Sequence, residues 1–306
     1  MTQEAESVLR VVVFAGPNGS GKSTITEPFL RNGFNGEYIN ADDIARSLEP
    51  QIPDYLTRNL QAAQLADRRR QDALHAGRPF AFETVLSTAE KVAIMTQAKA
   101  AGYQVGLIFV TTDNPETNVQ RVSNRVELGG HPVSPDKIRS RYHGAMGLLP
   151  AAVEHSDLAS IYDNSYDQEL MVAAKHRGQL VILPGAEHAP WVQEKFWTPH
   201  QARQSSLEYL QEHFERCAKE NPTALACALK TADASHGQRY SGQVEAITSS
   251  HVLQKVGANV YVVHDRALLP PVALAPGKVQ TLQYAYDKGR PIAPDLVRVQ
   301  GQDRRR

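Results

Sequence analysis

The stretch Val8-Leu9-Arg10-Val11-Val12-Val13-Phe14-Ala15-Gly16-Pro17-Asn18-Gly19-Ser20-Gly21-Lys22-Ser23 decides the fold. An apolar, strand-like run feeds into G-x-x-x-x-G-K-[ST], and an apolar-periodic stretch over 23–30 follows it. A strand, a glycine-rich turn and a helix in that order make a phosphate-binding loop. The glycines let successive backbone N–H groups close around an anion, and the helix N-terminus adds the positive end of its dipole. Gly16, Pro17, Asn18, Gly19, Ser20, Gly21, Lys22, Ser23 and Thr24 are therefore assigned to a nucleotide. Lys22 is expected against the β- and γ-phosphates, and the Ser23 hydroxyl on a magnesium ion. ATP and Mg2+ are the implied cofactors.

Outward from the loop, short apolar runs alternate with helical patterns as far as residue 185. Strands are expected over 8–15, 37–40, 79–83, 105–111, 159–163 and 179–183. Helix ends are readable between them. Ser87 and Glu90 have capping-box spacing, with Gly102 closing the same helix. Asn114 before Pro115, and Ser134 before Pro135, have the N-cap and first-turn arrangement. This is an α/β pattern, a parallel sheet covered by helices on both faces, with ligands at the carboxyl ends of the strands.

Residues 186–199 break the rhythm with Pro190, Trp191, Trp197 and Pro199, and are expected to connect two domains, the tryptophans packing against one of them. The first domain is assigned to 1–185 and a small α+β domain to 200–306. In the latter, 200–233 looks helical with an interruption near Pro222. β-like runs follow at 242–247, 260–264 and 279–284, and Arg304-Arg305-Arg306 looks like a frayed basic tail. No internal repeat is visible.

At 306 residues, with 42% apolar and 22% charged residues, the chain describes a soluble globular protein with a substantial core. Its 33 basic residues balance 33 acidic ones, so no global field attracts nucleic acid or an anionic membrane. No apolar run spans a bilayer and the polar start lacks a signal-peptide pattern, so the cytoplasm is expected. Cys217 and Cys227, ten residues apart, match neither a zinc motif nor a disulfide framework.

Several enzyme classes share the loop. An ABC-type ATPase needs Leu-Ser-Gly-Gly-Gln and a strand ending Asp-Glu; Leu128-Gly129-Gly130-His131 is a poor substitute. A small-molecule kinase needs a carboxylate near the γ-phosphate to accept a hydroxyl proton. Asp42, in Tyr38-Ile39-Asn40-Ala41-Asp42-Asp43, ends the second strand at the loop's face and is the candidate base, its rival role being a helix N-cap. Asp43 is expected to cap or to face solvent. Glu83 and Thr84 end the third strand and are candidates to orient the acceptor.

Two basic helices joined by Gly129-Gly130-His131-Pro132 describe a lid. They carry Arg121 and Arg125, then Lys137, Arg139 and Arg141. Arg125 and Arg139 rank first for charge on the transferring phosphoryl, then Arg141 and Arg121, with Arg121 also set beside the nucleotide. Arg68-Arg69-Arg70 is expected on a solvated helix face and Asp163-Asn164 where adenine would lie. His264-Asp265 evokes a metal pair, but a strand end suits it better.

Together these motifs resemble the zeta-toxin family of P-loop kinases over about residues 8–185. The matching pieces run in order. Ala15 to Thr24 comes first, then Tyr38-Ile39-Asn40-Ala41-Asp42 and Phe82-Glu83-Thr84-Val85-Leu86-Ser87. Arg125-Val126-Glu127-Leu128-Gly129-Gly130-His131-Pro132-Val133 and Arg139-Ser140-Arg141-Tyr142 complete the series. The resemblance implies a kinase using ATP and magnesium, with Asp42 as base and Lys22 and the lid arginines on phosphates. It points to the 3′-hydroxyl of UDP-N-acetylglucosamine, or a related sugar nucleotide, as acceptor, and to a small antitoxin protein as antidote. No antitoxin-like segment precedes the loop, so any antitoxin is expected as a separate chain. Tyr240-Ser241-Gly242-Gln243-Val244, His251-Val252-Leu253-Gln254 and Val262-Val263-His264 are similar to the KfrB-type domain of plasmid-borne proteins, which suggests a mobile-element setting. Read from its residues, the region is a small α+β module suited to binding a partner, with nothing catalytic in it. Two other classes stay open: a nucleic-acid 5′-hydroxyl kinase, against which the neutral charge argues, and a non-catalytic plasmid-maintenance protein switched by ATP.

Overall fold

The computed structural model describes residues 9–129, 131–166, 168–220 and 226–293. The start before Leu9, Gly130 in the lid turn, Pro222 and the triple-arginine end lie outside them. Two compact units are present. The first comprises the described parts of Met1–Leu86, Ala98–Ala145 and Ser156–Pro190; the second those of Ser87–Gln97, Met146–His155 and Trp191–Arg306.

The first unit runs β1 (Arg10–Ala15), α1 (Lys22–Arg31), β2 (Glu37–Ile39), α2 (Ala41–Leu48), α3 (Tyr55–His75) and β3 (Phe80–Thr84). Next come α4 (Ala89–Ala100), whose first turns belong to the second unit, β4 (Gln104–Thr111) and α5 (Pro115–Glu127). Then follow α6 (Pro135–His155), whose last turns also belong there, β5 (Leu158–Asp163), β6 (Leu170–His176) and β7 (Gln179–Ile182). They form a seven-stranded sheet in the order β2-β3-β1-β4-β5-β6-β7. The register sets Ala15 beside Thr84 and Phe109, and Thr111 beside Asp163, so the parallel strands end level and their loops share one rim.

Alternation along the strands gives each face its helices. Val12, Phe14 and Ala81 pack with Phe29 of α1 on one side. On the other, the Arg70 guanidinium of α3 lies 5.1 Å from the Phe82 ring centroid. The sheet is thus covered on both faces, as expected. It is not wholly parallel: β6 and β7 run antiparallel. The link from Asp163 to Leu170 is too short for a crossover helix, and a parallel connection needs a dozen residues or more. Arg70 is a second departure, since it is 5% exposed and pairs with Asp67 instead of lying on a solvated face. α5 starts as its sequence predicts, with the Asn114 side chain accepting from the amides of Glu116 and Thr117. α4 does not, because the Glu90 amide a capping box would use donates to the Gly289 carbonyl.

In the second unit a π-helical turn, Val192–Trp197, runs straight into α7 (Thr198–Lys219), so the tryptophan-rich connection is helical, and Trp191 is buried. β8 (Ala228–Thr231), β9 (Arg239–Ile247), β10 (His251–Gly257), β11 (Val260–Asp265) and β12 (Val279–Gln283) form a sheet in the order β12-β9-β10-β11-β8. Residues 228–231, expected to be helical, pair parallel with β11. Leu210 of α7 packs on Ala246, Leu253, Tyr261 and Val263.

The His264-Asp265 pair is structural here. His264 Nδ1 lies 3.0 Å from the Tyr284 hydroxyl and Nε2 3.1 Å from Gln254 Oε1, and burial pushes its pKa down to about 3. Asp265 accepts from Arg203 Nη2 at 2.7 Å and lies 2.9 Å from His155 Nε2. Burial works against its charge, but His155 and Arg203 hold the carboxyl well below the usual carboxylate range.

Candidate active site

The site assembles on the rim of the first sheet. Gly16 (φ +145°) follows β1, and a Cβ there would sit 2.0 Å from the Val110 carbonyl oxygen. Gly21 (φ +90°) directly precedes α1, and a Cβ there would lie 2.1 Å from Asn164 Nδ2. Only glycine allows both the left-handed turn and these approaches. The loop is also clamped from outside. Asn118 of α5 donates to the Asn18 carbonyl (2.6 Å), Asn164 after β5 to the Ser20 carbonyl (2.8 Å), and Arg141 of α6 to Asn18 Oδ1 (3.0 Å). The Ser20 hydroxyl is buried without a partner among the described residues. A rigid cradle with an unsatisfied polar atom, at the start of a ten-residue helix, fits a phosphate chain.

Lys22 is 9% exposed, and its ammonium donates to the carbonyls of Gly16 (3.0 Å) and Pro17 (3.1 Å). Glu83 Oε1 stands 3.7 Å away. Burial lowers the Lys22 pKa, against the pull of Glu83 and Asp42, and Arg125 lowers it further. Asp42 also acts on Arg141, where burial lowers the pKa and the Asp42 charge opposes it. Asp42, Lys22, Arg125 and Arg141 thus form one electrostatic group around the loop. Ser23 and Thr24 are exposed at the first turn of α1.

Local sequence explains where Asp42 sits. β2 stops at Ile39, and Asn40 caps α2 by accepting from the Asp42 amide at 2.8 Å. Asn40 takes the capping role, which leaves the Asp42 carboxylate in the first turn for other work. Asp43 pairs with Arg46.

Glu83 is the second centre. Tyr38 donates to its Oε2 (3.1 Å), and Asn40 donates to the same oxygen (3.3 Å) and to the Tyr38 hydroxyl (3.0 Å). Burial first, then Glu83, pushes the Tyr38 phenol above its ordinary range, so it stays a donor. Thr84 Oγ1 accepts from the Leu86 amide at 3.1 Å.

The lid arginines separate. Arg125 is exposed within electrostatic reach of Lys22. Arg139 is held by Glu116, through Nε (2.7 Å) and Nη2 (2.9 Å), and by Asp136. Arg121 donates to the Asn164 carbonyl at 2.7 Å. Asn164 itself donates to the loop backbone at Ser20. Sequence reasoning missed Asn118, and missed Tyr38 and Asn40 as supports of Glu83. The last two have a readable signal, since residues two apart in extended chain share a face and Asn40 keeps the extended conformation of the strand it follows.

A model of the zeta toxin family matches residues 5–170, just over half of the chain. The chain belongs to the zeta toxin family. A KfrB domain model matches residues 239–293. An uncharacterized protein of Haemophilus influenzae is 30% identical over 137 residues, 44% of this chain and 92% of the relative. Among solved structures, the AvrRxo1-ORF1:-ORF2 complex with ATP is similar with TM-score 0.47 and 16% identity, over 58% of this chain and 61% of that one. The chain therefore spans about three fifths of that structure's length. The PezAT toxin–antitoxin system of Streptococcus pneumoniae gives TM-score 0.41 and 19% identity over 54% of this chain and 73% of that one. Zeta-toxin membership and the phosphate loop agree in placing a nucleotide-binding site on this rim. No described helix is long and apolar enough to cross a membrane.

Proposed function

We propose that the chain transfers the γ-phosphoryl group of ATP to the 3′-hydroxyl of UDP-N-acetylglucosamine or a related sugar nucleotide, as a cytoplasmic zeta-type toxin countered by a separate antitoxin protein. The observation that supports this reading is the grouping of one carboxylate, Asp42, with Lys22 and Arg141 at a preformed phosphate loop. A carboxylate at this position, beside the two cations that would hold the phosphates, stands where an acceptor hydroxyl's proton would be taken.

In this reading the amides of Gly16 to Thr24 hold the phosphates, and Lys22 turns from the Gly16 and Pro17 carbonyls onto the β- and γ-oxygens. Asp42 takes the acceptor's proton as that oxygen bonds to phosphorus and the bridging bond to ADP breaks. Arg125 and Arg141 balance charge on the transferring group, while Arg139, engaged by Glu116, holds α6 against α5. Glu83, braced by Tyr38 and Asn40, and Thr84 orient the acceptor. A magnesium ion, held by Ser23, would neutralise negative charge on the phosphates. The KfrB-type sheet is assigned a partner-binding role.

The test is incubation with Mg-ATP and UDP-N-acetylglucosamine, with mass spectrometry for one added phosphate, beside Lys22→Ala and Asp42→Ala. A phosphorylated sugar nucleotide, absent with both variants, is the expected result. ATP hydrolysis with no phosphorylated product would reject the acceptor.

A further inference from the structure

Among the described residues, two groups of metal-ligating side chains lie in the second unit: Glu154, His155 and Asp265, and His213, Cys217 and Glu245. The first is already filled by a cation. The Arg203 guanidinium donates to Glu154 Oε2 at 2.9 Å and to Asp265 Oδ2 at 2.7 Å. In the second, among the described residues, a guanidinium touches only one of the three donors, Arg216 Nη2 lying 3.3 Å from His213 Nδ1.

We propose that His213, Cys217 and Glu245 bind a zinc-class divalent cation that ties α7 to β9. His213 and Cys217 stand four residues apart on α7, one turn along the same face. Glu245 comes from the facing strand β9. One nitrogen, one sulfur and one carboxylate oxygen all lie within 4.8 Å of one another. Tetrahedral zinc with ordinary bond lengths spaces such donors about 3.5 Å apart, so small rotamer changes close the site. The three residues are partly buried, so an ion can enter.

The donor set narrows the choice of ion. A thiolate disfavours magnesium and calcium, and a mixture of sulfur, imidazole and carboxylate suits zinc. Once a cation displaces the thiol proton, the thiolate and carboxylate charges together neutralise a divalent ion. Cys217 rests on the apolar cluster around Leu210 and Tyr261, which gives the metal–sulfur bond a dry side. Loading has one visible cost. Arg216 Nη2 lies 3.3 Å from His213 Nδ1, and must turn outward when one ring nitrogen takes the metal and the other the proton. Three protein ligands leave a fourth position for water. None of these residues belongs to the kinase site, so this proposal and the kinase reading stand or fall separately.

The test uses the full chain, reduced and stripped with a chelator, then titrated with Zn2+ against a chromophoric chelator and separately with Co2+. One equivalent should bind and raise the thermal midpoint, and Co2+ should give a tetrahedral spectrum with a thiolate charge-transfer band. Cys217→Ser should abolish that band. His213→Ala and Glu245→Gln should each weaken Zn2+ at least about a hundredfold, the upper end of what losing even a supporting partner costs a metal site. His213→Ala keeps the test decisive if the cysteine variant folds poorly. The proposal is overturned if no stoichiometric ion binds. It is equally overturned if affinity is unchanged in His213→Ala or Glu245→Gln, or if the band survives Cys217→Ser and disappears in Cys227→Ser.

Discussion

Replacing Asn118 by alanine should damage nucleotide binding although Asn118 lies outside the phosphate-loop motif. Its amide donates to the Asn18 carbonyl at 2.6 Å, its Oδ1 accepts from the Thr112 hydroxyl, and the residue is fully buried. Truncation leaves a buried loop carbonyl without its donor, which costs about 1–3 kcal/mol. Thr112 loses less, because its one hydroxyl proton can turn to the Asn114 carbonyl, 2.9 Å away. Asn164 and Arg141 still hold the loop, so the lower half of the range, about 1–2 kcal/mol, is expected. For a unit of this size that lowers the thermal midpoint by about 2–8 °C. If the clamp preorganises the loop, the same energy appears in ATP affinity, about 5- to 30-fold by calorimetric titration. Adding Asn164→Ala should then cost more than the two single changes summed, because both side chains hold one loop. A lowered midpoint with unchanged ATP affinity would refute the reasoning and reduce Asn118 to a packing residue.

Other consequences follow from the same geometry. Arg141→Ala should lower turnover by about 10²–10³-fold, the cost of losing one charge-stabilising donor, whereas Arg139→Ala, which breaks only a surface pair, should leave steady-state turnover within about threefold. Glu83→Ala should raise the acceptor KM by about 10–100-fold with little change in the ATP dissociation constant, as expected when a hydrogen-bonding group for the acceptor is lost. His264, buried and neutral, makes stability pH-dependent. Its folded pKa of about 3 lies below the ordinary 6.5, so the unfolded chain binds the extra proton. The stability is therefore present above pH 6.5 and drains as pH falls toward 3, at about 1.4 kcal/mol per pH unit. Chemical denaturation at several pH values should show that slope, and His264→Gln should flatten it.

The legible parts of the molecule were those where one signal suffices. The loop between β1 and α1, the Asn114 cap with Pro115, and Gly102 (φ +83°) at the end of α4 all follow from single-residue conformational demands. Strand β10 was harder, because its Gln254 breaks the apolar pattern. That side chain is buried but satisfied, donating to the carbonyls of Gly242 and Gln280. β8 looked like helix because Ala228 and Leu229 carry helical propensity, which tertiary pairing with β11 overrides. In the site, spacing placed Asp42 and Glu83 on the rim but ranked Arg139 ahead of Arg141, whereas Arg139 is held by Glu116 and Arg141 reaches Asn18 of the loop. That choice depends on Glu116, on another helix, whose reach only the folded chain sets. The clamps from Asn118 and Asn164 span 100 and 144 residues and leave no local trace.

The most direct test of the phosphotransfer chemistry is Asp42→Asn, followed by ATP titration and by single-turnover phosphate transfer to UDP-N-acetylglucosamine on the same preparation. Asparagine keeps the shape and the α2 cap, which Asn40 supplies, but cannot take a proton. ATP affinity should stay within a few-fold of the parent while the transfer rate falls by about 10²–10⁴, the range for removing a general base. Transfer at the parent rate, or loss of ATP affinity equal to the loss of rate, would contradict Asp42 as the base.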